Sequence, residues 1–127
     1  MLCFFAPVYG YDEERATVNQ AYELAECSAF YAIYAEGIKR AGNEKRANNL
    51  MGASYRAFDA AIKLSNLKIA KERMEMALEE QRKEMNNNYS NSSILSIKYK
   101  GICKEALESP DKRLQYCSIK KVSTNSN

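Results

Sequence analysis

Leu24-Ala25-Glu26-Cys27-Ser28-Ala29-Phe30-Tyr31-Ala32-Ile33-Tyr34-Ala35 decides how this chain folds. Only Glu26 and Ser28 are strongly polar in it. Wound into a helix, the stretch is apolar nearly all round, and such a helix has to be covered on several sides. It is therefore the expected centre of a bundle, with alanines that let neighbouring helices approach closely. Working outward, Asp12, Glu13 and Glu14 suit a helix start, where negative charge meets the positive end of the dipole. Gly42 fits a C-terminal cap. Helix 1 is expected from about Asp12 to Ala41.

Asn43 can cap a second helix. Ala47, Leu50, Ser54, Phe58, Ala61 and Ser65 follow at steps of three and four, one stripe at helical period. Beyond Leu64 the stripe changes phase, and Leu67, Ala70, Met74, Leu78 and Met85 lie nearly opposite the Phe58 stripe. Two arrangements satisfy that change. Either the chain breaks near Ser65-Asn66, with Asn66 as a new N-cap, or one long helix buries different faces along its length. Asn86-Asn87-Asn88-Tyr89-Ser90-Asn91-Ser92-Ser93 reads as a loop, rich in side chains that bond their own backbone. A helix from about Ser93 to Leu107 carries Ile94, Ile97, Gly101 and Ala106 around Cys103. Ser109-Pro110-Asp111 restarts the chain, with Ser as N-cap and Pro at the first helical position. This last short helix is expected to end near Cys117. The expected fold is all-α, a bundle of four or five helices around helix 1.

Composition agrees. The chain has 127 residues, enough for one hydrophobic core. Only 5 Gly and 2 Pro interrupt it, which favours long helices over strands and turns. A net charge of +3, dispersed along the chain, does not make a nucleic-acid interface. Histidine is absent, and with it go the usual general base near neutral pH, the common nitrogen ligand for metals, and Ser-His-Asp or Cys-His catalysis. No Gly-rich phosphate loop occurs; Gly37, Gly42 and Gly52 are isolated. The reading is of a protein without enzymatic activity or cofactor.

The first ten residues, Met-Leu-Cys-Phe-Phe-Ala-Pro-Val-Tyr-Gly, carry no charge and precede the acidic run. They read as the remnant of a secretory signal, with Val8 and Gly10 three residues and one residue before a cut. The basic leader expected upstream is missing, which a true start before Met1 would explain. An apolar end folded onto the core is the plainer alternative. No stretch approaches the roughly 18 apolar residues of a membrane span. On this reading residues 1–10 are leader, 11–117 the bundle, and 118–127 a disordered tail.

The cysteines are Cys3, Cys27, Cys103 and Cys117, with no Cys-x-x-Cys pair to suggest zinc or a thioredoxin-type site. Cys27 and Cys103 sit mid-helix, where facing side chains would cross-link the bundle in an oxidising compartment. In a reducing one they would serve as small buried hydrophobes. Cys117 would be left over once the leader carrying Cys3 is removed.

Other features have a structural and a functional reading. Glu72, Glu75, Glu79 and Glu80 alternate with Lys68, Lys71, Arg73 and Lys83, as on a solvated helix face. Glu36, beside the apolar run, suits a structural acid paired with Lys or Arg. Met74 and Met85 fit core packing better than a methionine-rich binding surface. Tyr22, Tyr31, Tyr34 and Tyr55 form a candidate interaction surface, or line the core with hydroxyls at its rim. Lys98, Lys100, Lys104, Lys120 and Lys121 make the C-terminal part basic, in keeping with a solvated face and a loose tail. The glycosylation sequons at Asn88 and Asn91 matter only in a eukaryotic secretory pathway.

Leu24-Ala25-Glu26-Cys27 with Tyr31, then Tyr99-x-x-x-Cys103, then Ser109-Pro110-x-x-Arg113-x-x-Tyr116, resemble small uncharacterised periplasmic helical proteins of Gram-negative bacteria, phage- or prophage-borne ones included. The resemblance covers about Ala21 to Tyr116, and Cys117 departs from it at a position where an aromatic is expected. It implies a leader, a helical domain, two cysteines in comparable helices, and no catalytic residue. The leading expectation is an exported adaptor or inhibitor acting on an envelope protein, without nucleic acid or stable membrane insertion. The alternative is a carrier of a small apolar ligand, held between helices by Tyr and Met side chains.

Overall fold

In the computed structural model, residues 13–115 are described. They form α1 (Glu13–Arg40), α2 (Glu44–Leu64), α3 (Leu67–Glu84), a single 3-10 turn (Tyr89–Asn91) and α4 (Ser92–Glu108); residues 110–115 are also helical. The all-α bundle is as expected. The leader read at 1–10, the tail at 118–127, Cys3, Cys117 and the end of the last helix lie outside the described residues.

α1 is the hub, packed against α2, α3 and α4. Buried positions run round it, from Leu24, Ala25 and Cys27 to Phe30, Tyr31, Ile33 and Ala35. Its end is set by Gly42, whose φ of 96° only glycine adopts readily. There the Gly42 amide donates to the Lys39 carbonyl and the Asn43 amide to Ile38, closing a Schellman cap. Asn43 then begins α2, its side chain accepting from the Arg46 amide.

Small residues bring α2 onto α1. Ala53, Ala57 and Ala61 are buried beside Ala25 and Cys27. Ser28 Oγ donates to the Ser54 carbonyl (2.9 Å), and Ser54 Oγ donates back to the Ser28 carbonyl (2.7 Å). Two exchanged bonds of this kind contribute about 1 kcal/mol each and fix the register of the pair. The α2 stripe is as read, joined by Ala53 and Ala57, with Leu50 and Phe58 only half-buried.

The phase change after Leu64 is a true break. Asn66 caps α3 by accepting from the Ile69 amide at 2.9 Å. α3 then presents Ala70 and Ala77 to the core, followed by the capping residue Met85, with Met74 and Leu78 half-buried beside them. Leu67, expected in that stripe, is exposed, because as the first residue of α3 it lies at the rim.

The 86–93 loop is shorter than expected. Asn86 and Asn87 take the left-handed conformation (φ 55° each), which asparagine tolerates, and Asn88 caps the 3-10 turn through Ser90. α4 overturns part of the expected face, keeping Cys103 and Ala106 in the core but not Ile94, Ile97 or Gly101. Its buried side is Leu95, Tyr99, Cys103 and Ala106, whereas Ile94 and Ile97 are exposed and Gly101 lies open. Cys103 sets the phase: it meets Cys27 at disulfide-bonding distance, with a Cα–Cα separation of 5.4 Å. A helix rotated to bury Ile97 would carry Cys103 away from α1.

Candidate interaction surface

Ile97 and Gly101 each stand two residues from the buried Tyr99, hence about 160° round the helix from it. They occupy the pole of α4 farthest from the core, where a polar residue is the ordinary choice. Ile97 is 87% exposed and Ile94, one turn earlier, 46%. A Cβ added to Gly101 would meet no heavy atom within 4 Å, so internal packing gives no reason for glycine there. Glycine inside a helix costs about 1 kcal/mol relative to alanine. Ile94, Ile97 and Gly101 thus form an apolar strip two turns long, ending on bare backbone.

The two edges of this strip differ. On one side Lys100 and Lys104 are exposed and make no ion pair among the described residues. On the other, Lys98 donates to Glu84 at 3.0 Å, and Glu105 is taken by Arg113 and Lys112 at 3.3 and 3.6 Å. The uncompensated charge beside the isoleucines is positive.

The four tyrosines of the candidate surface are dispersed. Tyr31 is buried, its ring 5.1 Å from Phe30, and burial pushes its hydroxyl pKa up. Tyr34 stacks on Phe30 at 5.6 Å and accepts a hydrogen bond from Arg46. Tyr22, about two and a half turns of α1 before Tyr31 and so on its opposite face, lies beneath the Arg73 guanidinium at 3.7 Å. Tyr55 is 68% exposed on α2, at the edge of a shallow open recess of about 430 Å³ formed with Arg56, Phe58, Asp59 and Ile62. Tyr31 and Tyr34 each meet Phe30, whereas Tyr22 and Tyr55 lie elsewhere.

Two polar arrangements were not read from the sequence. At the seam of α1, α3 and α4, Glu26 is pushed up to about 7 by burial and by the neighbouring carboxylates Glu80 and Glu23, against the pull of Lys98 and Arg73. Tyr99 nearby donates to Glu84 at 3.0 Å, and burial raises its pKa further above the phenol range. At the end of the bundle, Arg113 donates to both oxygens of the buried Glu23. Their sequence signals are thin: Glu23 and Glu26 are acids in an otherwise apolar helix, and Arg113 follows the Ser-Pro restart by three residues.

Glu36 is paired with Arg40 at 2.8 Å, which lowers its pKa and fits the structural reading. Met85 is buried, Met74 is half-buried with its Sδ 3.3 Å from the Ser28 hydroxyl oxygen, and Met76 is exposed. Among the described residues no cluster of three or more His, Cys, Asp or Glu could hold a metal. No helix among them is long and apolar enough to cross a membrane. The chain matches no family model, no curated protein and no solved structure.

Proposed function

We propose that this chain is a non-enzymatic protein of the periplasm or extracellular space that acts by binding another protein of the envelope, as an adaptor or inhibitor. The observation that carries the reading is Ile97: a β-branched apolar side chain left 87% exposed at the outward pole of a helix whose core face is fully used. Exposed apolar residues arrayed as a strip mark contact surfaces more often than isolated ones do. The compartment is supported by the Cys27–Cys103 pair, since such bonds persist where thiols are not kept reduced, and by the uncharged stretch before Tyr11. The likeness to small periplasmic helical proteins belongs to the same proposal.

Site-specific photo-crosslinking tests it. A photoreactive amino acid is placed at Ile97 and, as control, at Glu75 on the exposed side of α3, in protein expressed in its host. The expected result is a covalent adduct with an envelope protein from position 97 and none from position 75. If position 97 yields no adduct, or only cytoplasmic ones, the reading falls.

A second reading, a carrier of a small apolar ligand, is favoured by the recess of Tyr55, Phe58 and Ile62 on α2. Native mass spectrometry of host-purified protein distinguishes it: a carrier shows a bound apolar molecule that Phe58→Asp releases.

A further inference from the structure

Resting on the interaction reading above, we infer that the α4 strip receives an acidic amphipathic helix of the partner protein, laid along Ile94 and Ile97 with its backbone close to Gly101 and its carboxylates toward Lys100 and Lys104.

Three independent observations lead to this occupant. The strip is two helical turns long and apolar, the footprint of a helix that contributes apolar anchors three and four residues apart. Gly101 leaves backbone uncovered, a feature that lets a second helix approach closely. A fluid lipid surface or a small ligand would gain nothing from it. The charge is one-sided: Lys100 and Lys104 have no ion pair among the described residues, whereas the opposite edge is already neutralised by Glu84 and Arg113. Across an interface, charge of this kind selects the complementary sign and suppresses partners carrying the same one. From Ser92 to Lys104 there is no acidic residue, and Glu108, four residues beyond Lys104 and the nearest carboxylate on that face of α4, is not ion-paired with it.

The test uses two synthetic stapled helical peptides of about four turns, with leucines on one face. One carries glutamates beside the leucines and the other lysines. Each is titrated into isotopically labelled full-length protein and followed by amide chemical shifts. The glutamate peptide should perturb residues 93–104, with an affinity that falls as salt rises. Ile97→Asp should weaken it at least about tenfold. Lys100→Glu combined with Lys104→Glu should reverse the preference, so that the lysine peptide binds instead.

The inference is overturned if neither peptide shifts those amides at about 1 mM, a threshold near the weakest useful affinity. It is overturned equally if both peptides bind alike. Phosphatidylglycerol vesicles that perturb the strip more strongly than the peptide would assign the face to lipid. A concentration-dependent dimer abolished by Ile97→Asp would assign it to a second copy. An Ile97 crosslink to a protein without an acidic helix would end this inference while leaving the interaction reading standing.

Discussion

Arg113 grips Glu23 with two parallel hydrogen bonds, Nε to Oε1 at 2.9 Å and Nη2 to Oε2 at 2.7 Å, between residues 90 positions apart. Both side chains are withdrawn from water, at 7% and 0% exposure. The third nitrogen, Nη1, donates to Glu105 at 3.3 Å, so the guanidinium spans α1 and the end of α4. The carboxylates hold Arg113 charged even more firmly than usual. Beside it Gln20 donates to the Pro110 carbonyl at 2.8 Å, fastening the same segment to α1.

Removing one member of that pair strands the other as a buried charge, the costly case for ion pairs. Arg113→Met is expected to destabilise the fold by about 3–5 kcal/mol in urea titrations at neutral pH. Arg113→Lys should recover only part of this, since an ammonium cannot supply the parallel fork. Adding Glu23→Leu to Arg113→Met should restore most of it. A double variant as unstable as Arg113→Met alone would mean that packing, rather than charge pairing, dominates at this site.

The Cys27–Cys103 bond joins α1 to α4 across 76 residues. Loop closure of that length contributes about 4 kcal/mol by restricting the unfolded chain. The double substitution of Cys27 and Cys103 by alanine is expected to lower the unfolding free energy by about that amount, and reductant should lower the wild type by a similar step. Wild type insensitive to reductant would show that the thiols are unbonded in the purified protein.

How far the fold could be read depended on how local its determinants are. Gly42, Asn43 and Asn66 act on amides within three residues, and each cap is where the sequence put it. The crowded apolar run of α1 announced its central place for the same reason. The face of α4 was misread because it offers two apolar sets, Ile94 with Ile97 and Leu95 with Tyr99, either of which makes a plausible stripe. Only the position of Cys27 on another helix chooses between them. The same non-locality hid the Glu23–Arg113 pair. It also kept the strip at Ile97 out of the candidate site, since a surface isoleucine and a core one look alike in a sequence.

Glu26 makes stability fall as pH rises. Its folded pKa of about 7 lies above the ordinary 4.5, so the folded chain holds a proton that the unfolded chain releases. This stabilisation is complete below about pH 4.5, declines between there and 7, and is gone above. Glu26→Gln removes the titration. The variant should match wild type near pH 4 and exceed it by about 1–3 kcal/mol at pH 8, the lower figure allowing for the solvent that reaches this carboxyl. Parallel stability profiles between pH 4 and 8 would show that Glu26 is not the group responsible.

Two helical glycines should respond oppositely to alanine. At Gly37 a new Cβ would sit 2.7 Å from Ser92 Oγ and 3.1 Å from Ser92 Cβ, and Ser92 is buried at the start of α4. The helix or the serine must then shift, and overpacking of this kind outweighs the gain in helix propensity. A net loss of about 1 kcal/mol is expected for Gly37→Ala. At Gly101 nothing lies within 4 Å, so alanine adds propensity without a clash, and Gly101→Ala should gain about 0.5–1 kcal/mol. The same methyl would lift a partner helix off the α4 backbone. A variant that unfolds at higher urea yet binds the glutamate peptide more weakly separates a glycine kept for contact from one kept for folding. If Gly101→Ala is more stable and binds equally well, the bare backbone plays no part in docking, and the isoleucines and lysines must account for recognition alone.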